Sequence, residues 1–140
     1  MKVSLNTIKQ FTKVDLPVDE LVQKINQQLG GVEDIIYVGK RYEGAVIAKV
    51  VKCEKHPNAD KLSLCEIDAG TGENVQVVCG APNVREGLWV VWLKPGATVP
   101  STFEDKEPFM LEARELRGLM SNGMLASAKE LGLGDDHSGI

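Results

Sequence analysis

The sequence predicts a mainly β fold: a small five-stranded barrel with a short helical appendage at its N-terminus, α+β overall. Three observations predict it. Apolar residues recur at helical spacing only ahead of Gly30-Gly31. Beyond that pair the chain breaks into five short runs rich in Val, Ile and Leu, separated by glycine, proline and polar turn residues. The 140 residues suffice for one domain, or one domain with a small appendage.

The elements follow in order. Ser4 is placed to cap a short helix with Leu5, Ile8 and Phe11 on one side. Leu16-Pro17 interrupts it, because proline lacks a backbone donor and restrains the residue before it. Val18, Leu21, Val22, Ile25 and Leu29 form the apolar face of a second helix, which Gly30-Gly31 ends. Two helices this short bury little alone and need a partner surface. Val32–Val38 reads as a strand leading into the next unit. The barrel candidates are Gly44–Lys55, Leu62–Ala69 (closed by Gly70-Thr71-Gly72), Asn74–Cys79, Leu88–Leu93 and Phe109–Leu116. A short helix begins near Ser127 and ends at Glu130-Leu131-Gly132-Leu133. Five strands with frequent turns point to the oligonucleotide/oligosaccharide-binding (OB) type of barrel. The chain opens on Met1 and stops at Asp135–Ile140, a turn running into apolar sequence, the pattern expected of the front of a longer chain.

Composition narrows the function. The net charge of -4 argues against a general nucleic-acid binder, so any RNA contact must come from a local patch. Residues 1–43 balance six basic against six acidic side chains, and the whole deficit lies in 44–140. No apolar run approaches the roughly 18 residues of a membrane span, and no secretory leader is visible. A cytoplasmic protein with no membrane partner is expected. Cys53, Cys65 and Cys79 form no Cys-x-x-Cys pair and sit in strand-like runs, so they read as small buried hydrophobes in a reducing compartment.

The catalytic inventory is thin. The only histidines are His56 and His137, and nothing marks a cysteine beside either as activated. There is no Gly-x-Ser-x-Gly, no phosphate loop and no His-Glu-x-x-His. Asp135-Asp136-His137 fits a solvated polar loop better than a cation site. No catalytic residue, no metal ligand and no cofactor is expected in this segment.

Contact chemistry is more promising. His56-Pro57-Asn58-Ala59-Asp60 lies between two strands and supports two readings. In one, the imidazole, the amide and Lys61 face a phosphate or a base. In the other, Pro57 fixes φ and Asn58 or Asp60 bonds its own backbone in a turn. Pro57 and Asp60 fit the turn, while His56, Asn58 and Lys61 stay open to both. Lys49, Lys52, Lys55 and Lys61 lie on or beside the first two barrel strands, with Arg85, Arg114 and Arg117 in later elements. The candidate nucleic-acid contacts are Lys55, His56, Asn58, Lys61, Arg85 and Arg117. Trp89 and Trp92 fall on opposite sides of one strand, with Trp92 expected inside and Trp89 outside. An exposed Trp89 suits base stacking or packing against another domain.

The ordered set His56–Leu62, Val78–Val84, Leu116-Arg117-Gly118, Ser121–Met124 and Glu130–Leu133 resembles the tRNA-binding OB domain of several translation proteins. With the N-terminal helices and Asp135–Ile140, the whole chain resembles the start of the β subunit of bacterial phenylalanyl-tRNA synthetases. The resemblance implies a parent ligase that joins phenylalanine to tRNA with ATP and magnesium, as a tetramer of two α and two β chains. Its aminoacylation site would lie in the α subunit. Residues 1–38 would be half of a split N-terminal domain, and 39–140 the inserted tRNA-binding domain, truncated at its C-terminal end. Self-association through the helices would follow from the missing half.

The sequence departs from the family pattern in two places. Leu88–Pro95 is bulkier than the small-residue pattern, and Phe103–Pro108 adds Glu104, Asp105 and Glu107. Those acids favour a variant domain that packs against its enzyme with little RNA contact. A free-standing tRNA-binding OB protein is the third reading.

Overall fold

The computed structural model describes all 140 residues, Met1–Ile140. They fall into two units, Met1–Tyr37 and Val38–Ile140.

In the first unit, Ser4 caps helix α1 (Leu5–Ile8), its Oγ accepting from the Thr7 N–H at 3.3 Å. Pro17 precedes helix α2 (Val18–Gln28), and Asp19 and Glu20 in its first turn complement the helix dipole. The expected apolar face forms, with Leu21, Val22 and Ile25 half-buried and Leu29 85% exposed. No residue of this unit is fully buried. The strand expected over Val32–Val38 does not form. Residues 32–37 join no ladder, and Val38–Tyr42 is a 3-10 helix. Strand preference is realised by packing against a neighbouring strand, and the unit's regular elements are both helices. Asn26 instead holds the chain after α2, its Oδ1 accepting from the Val32 N–H at 2.6 Å.

The second unit is built on strand β1 (Ala45–Lys55). Strands β2 (Ser63–Asp68) and β3 (Asn74–Cys79) follow as a meander on one side of it. Strand β4 (Trp89–Leu93) pairs with its other side, and every pairing is antiparallel. The fifth strand differs from expectation. Within Phe109–Leu116 only Arg114–Leu116 is a strand, β5, and it pairs in a separate hairpin with β6 (Leu119–Ser121). The sheet is completed by β7 (Met124–Ala126) on β4, giving the order β3-β2-β1-β4-β7. Gly123 permits that approach: its φ is +86° and a side chain there would run into the Leu93 carbonyl.

Alternation along the strands makes two apolar layers. Ala48, Val50, Cys65, Ile67, Val77, Val90, Trp92 and Leu125 fill the inside of the curled sheet. Leu93 and Ala126 point to the outer side, where Ala97, Val99, Leu111 and Leu131 cover them. Phe109–Leu111 thus serves as a flap, with backbone bonds from Val99 N–H to the Phe109 carbonyl and from Leu111 N–H to the Ala97 carbonyl. Trp92 lies inside and Trp89 outside, as the strand parity predicts.

The barrel seam between β3 and the β6–β7 segment is closed largely by side chains. Val78 N–H donates to Ser121 Oγ at 3.0 Å, and Asn122 donates from both its backbone and its Nδ2 to the Gln76 carbonyl. Gln76 Nε2 returns a bond to the Met120 carbonyl at 2.8 Å. Trp92 Nε1 donates to the Asn122 carbonyl from inside. After β7, Ser127 and Glu130 form a reciprocal cap: the Ser127 N–H and hydroxyl both donate to Glu130 Oε2 at 2.6 Å. This cap starts a single turn rather than the short helix expected there, because Gly132 adopts φ +67° within one turn.

Candidate nucleic-acid interface

His56 follows the last residue of β1 and folds the turn. Its N–H donates to the Leu62 carbonyl at 3.0 Å, and its ring Nδ1 accepts from the Asn58 N–H at 3.1 Å. Nε2 lies 3.1 Å from the Leu116 carbonyl. A carbonyl only accepts, so these partners assign the neutral tautomer with hydrogen on Nε2. At 4% exposure, with both nitrogens engaged, the imidazole has nothing left to offer a phosphate or a base. Its part is to position the loop. The local bond expected from Asn58 or Asp60 is supplied instead by the histidine ring, which is flat and long enough to serve the turn and reach a distant strand together.

Asn58 reaches the same strand pair, its Nδ2 donating to the Arg117 carbonyl at 3.1 Å. His56 and Asn58 thereby bind consecutive carbonyls at the tip of the β5–β6 hairpin. That tip is the two-residue turn Arg117-Gly118, with φ +53° and +92°, the pattern of a type I′ hairpin. Arg117 is the only non-glycine residue at positive φ. Holding it there costs about 1–2 kcal/mol, and the two loop-to-hairpin bonds offset part of that. The result is an exposed guanidinium at the tip of a tethered hairpin.

Two widely separated sequence motifs thus form one cluster. Lys55 at the end of β1 and Lys61 beyond the turn are exposed and carry no ion pair, and the same holds for Arg117. Asp60 is exposed between them. Arg85 belongs elsewhere. It lies in the β3–β4 connection, where its Nη1 donates to the Asn83 carbonyl at 3.3 Å, and Gly87 N–H ties that turn to the Val50 carbonyl. Of the six candidate contacts, the structure brings Lys55, His56, Asn58, Lys61 and Arg117 to one loop cluster and leaves Arg85 beside the middle of β1.

Sequence reasoning missed two features around this site. Asn83 binds the last residue of the chain in a reciprocal pair: its Nδ2 donates to the Ile140 carbonyl, and the Ile140 N–H donates to its Oδ1 at 3.0 Å. An amide side chain can copy a strand edge in this way, a signal visible only once both segments are placed. The three cysteines also converge. Cys65 Sγ lies 3.8 Å from Cys53 Sγ across the β1–β2 ladder, and burial pushes the Cys65 thiol well above its ordinary range and raises that of Cys79. They behave as core groups. At the chain end, bonds from the Ser138 N–H and hydroxyl hold the Asp136 carboxyl below its usual value. That carboxylate is committed to a local turn.

No cluster of three His, Cys, Asp or Glu residues is placed to hold a metal ion. No helix is long and apolar enough to cross a membrane. What the loop cluster offers chemically is exposed positive charge on a hydrogen-bonded frame, which suits phosphate contact.

Known proteins are similar to this chain in sequence. Residues 45–140 match the family model described as "Putative tRNA binding domain". The whole chain is 44% identical over 140 residues to the phenylalanine--tRNA ligase beta subunit of Synechococcus sp. (strain CC9902). It is 38% identical over 143 residues to that of Bacteroides thetaiotaomicron. In each case all of this chain is covered but only 17% of the relative, so the chain spans about a sixth of the length of the curated relatives it matches. A match that takes in the curled sheet, the His56 turn, the Arg117 hairpin and the Asn83 loop is a match to the whole site, and the chain belongs to the tRNA-binding domain family.

Proposed function

We propose that this chain is the N-terminal tRNA-binding module of a phenylalanine--tRNA ligase β subunit. The observation that carries the reading is the tethered cluster: His56 and Asn58 fasten the Arg117 hairpin beside Lys55 and Lys61, which leaves three unpaired cations on one rigid loop pair. Phosphates of tRNA are the matching ligand, and the contact orients the RNA without reading its bases. Lys55, Lys61 and Arg117 make the contact, Arg85 adds to it from the β3–β4 turn, and His56 and Asn58 hold the frame.

Residues 39–140 form the RNA-binding domain, and residues 1–38 are part of a split domain completed by the rest of the ligase. The half-buried face of α2 and exposed Leu29 support that reading. In isolation the same face pairs with a second copy. The complete enzyme attaches phenylalanine to tRNA using ATP and magnesium, together with an α subunit in a two-α, two-β tetramer in the cytoplasm. That chemistry we assign to the parts of the enzyme outside this segment.

A second reading, a packing module with little RNA contact, draws on the net charge of -4 and on Glu104, Asp105 and Glu107. Titrating the chain with tRNA at low salt separates the two. Binding that weakens when Lys55, Lys61 and Arg117 are replaced by alanine supports the first, and absence of binding supports the second.

A further inference from the structure

Trp89 opens β4 on the outer face of the sheet and is 66% exposed. The residues that follow it on that face, half-buried Val91 and buried Leu93, lie in or against the outer apolar layer. The cover therefore stops one step short of the tryptophan. Directly across the ladder, Lys49 places its Nζ over the indole, 6.0 Å from the ring centre. The only other large exposed apolar side chain on this strand pair is Ile47. Arg85 lies at the far end of the Arg85–Leu88 turn, closed by the Leu88 N–H bond to the Arg85 carbonyl.

Two apolar side chains make a shelf of a few hundred Å² at most, far below the roughly 800 Å² per partner of a stable protein interface. One aromatic ring on a rigid strand, with an ammonium against it, is the right size for one base. The acids Asp68, opposite Lys49 on β2, and Glu86, in the turn, offset the local positive charge. The shelf is therefore suited to a π-face more than to a phosphate.

We propose that Trp89 is a stacking platform for one unpaired nucleobase, with Lys49 positioned over its ring. This rests on the tRNA-binding reading and adds a second, chemically different contact to it. β1 spans about 20 Å between Lys49 and Lys55, which is the distance along the strand from the platform to the loop cluster. The platform is sequence-tolerant, because every base has a π-face.

The test uses the 140-residue chain and a fluorescently labelled single-stranded RNA such as the CCA-ending acceptor strand, with affinity read by anisotropy. Trp92 is buried and Trp89 exposed, so quenching of the accessible tryptophan emission reports the platform. RNA should quench that emission. Trp89→Ala should weaken binding about 5- to 100-fold without changing the salt dependence. Trp89→Phe keeps a ring and should hold affinity within about 3-fold while losing the quenching signal. If wild-type chain binds RNA but neither emission nor affinity responds to Trp89, the platform is overturned and the phosphate-contact reading stands. If Trp89→Ala leaves RNA affinity intact and instead abolishes dimerisation in sedimentation, the shelf is a protein contact and the proposal fails. If wild-type chain binds neither this RNA nor tRNA at low salt, the tRNA reading fails and takes the platform with it.

Discussion

The Nε2–H of His56 donates to the carbonyl of Leu116, 60 residues later, at 3.1 Å. The bond fastens the β1–β2 turn to the β5–β6 hairpin, so the imidazole is a strut between two loops. Removing it leaves a buried pocket, and the Leu116 carbonyl and Asn58 N–H lose their partner. His56→Ala should lower stability by about 2–3 kcal/mol in urea denaturation. A loss below about 0.5 kcal/mol would show that the two loops are held by something else.

Arg117 separates stability from binding. Its φ of +53° suits glycine, so Arg117→Gly should leave stability equal to wild type or up to about 1 kcal/mol higher. The same change removes a phosphate contact and should reduce the slope of log affinity against log salt by about 1. Thermal melts and tRNA titrations on one preparation read both outcomes. Lower stability with unchanged binding would reverse the assignment.

The seam depends on Ser121, whose hydroxyl accepts the Val78 N–H at 3.0 Å and donates to the Gly123 carbonyl. Ser121→Ala strands a buried N–H and should cost about 1–3 kcal/mol. Hydrogen exchange at Val78 checks the mechanism, since its protection should fall more than that of Val77.

Burial raises the Cys65 and Cys79 thiols, and the sign of the pH effect follows. A group whose pKa is higher folded than unfolded contributes stability that is fully present below the unfolded value, about 8.5, and is lost as pH rises beyond it. Melting temperature should therefore hold near neutral pH and decline from about pH 8.5 upward. Cys65→Ala should flatten that decline, and an equally steep decline in the variant would assign it to other groups.

Much of the fold is legible in the sequence because its strands carry local signals. Val and Ile runs mark β1 to β4, and Asn74–Cys79 is read to the residue. Strand parity separates Trp92 from Trp89. The three-residue strands β6 and β7 are hidden. Each is too short to show a period, and Ser121-Asn122-Gly123 reads locally as a turn although its bonds run to β3. The opposite error occurs at Val32–Val38, where strand-forming residues lack a neighbour to pair with. In the site, Lys61 and Arg117 are visible as cations, but their common frame rests on two bonds spanning about 60 residues, from His56 and Asn58. No local pattern encodes those bonds.

The central claim is that three cations on one tethered loop pair hold tRNA through its phosphates. The most direct measurement is the affinity of the chain for tRNA over a range of salt concentrations, for wild type and for the Lys55→Ala, Lys61→Ala, Arg117→Ala triple variant. The account predicts weak wild-type binding with a log–log slope of roughly -3, and a triple variant that binds more weakly and with a slope of about -1, the share left to Arg85. Equal affinity and equal slope for the two proteins, or no wild-type binding at the lowest salt, would contradict it.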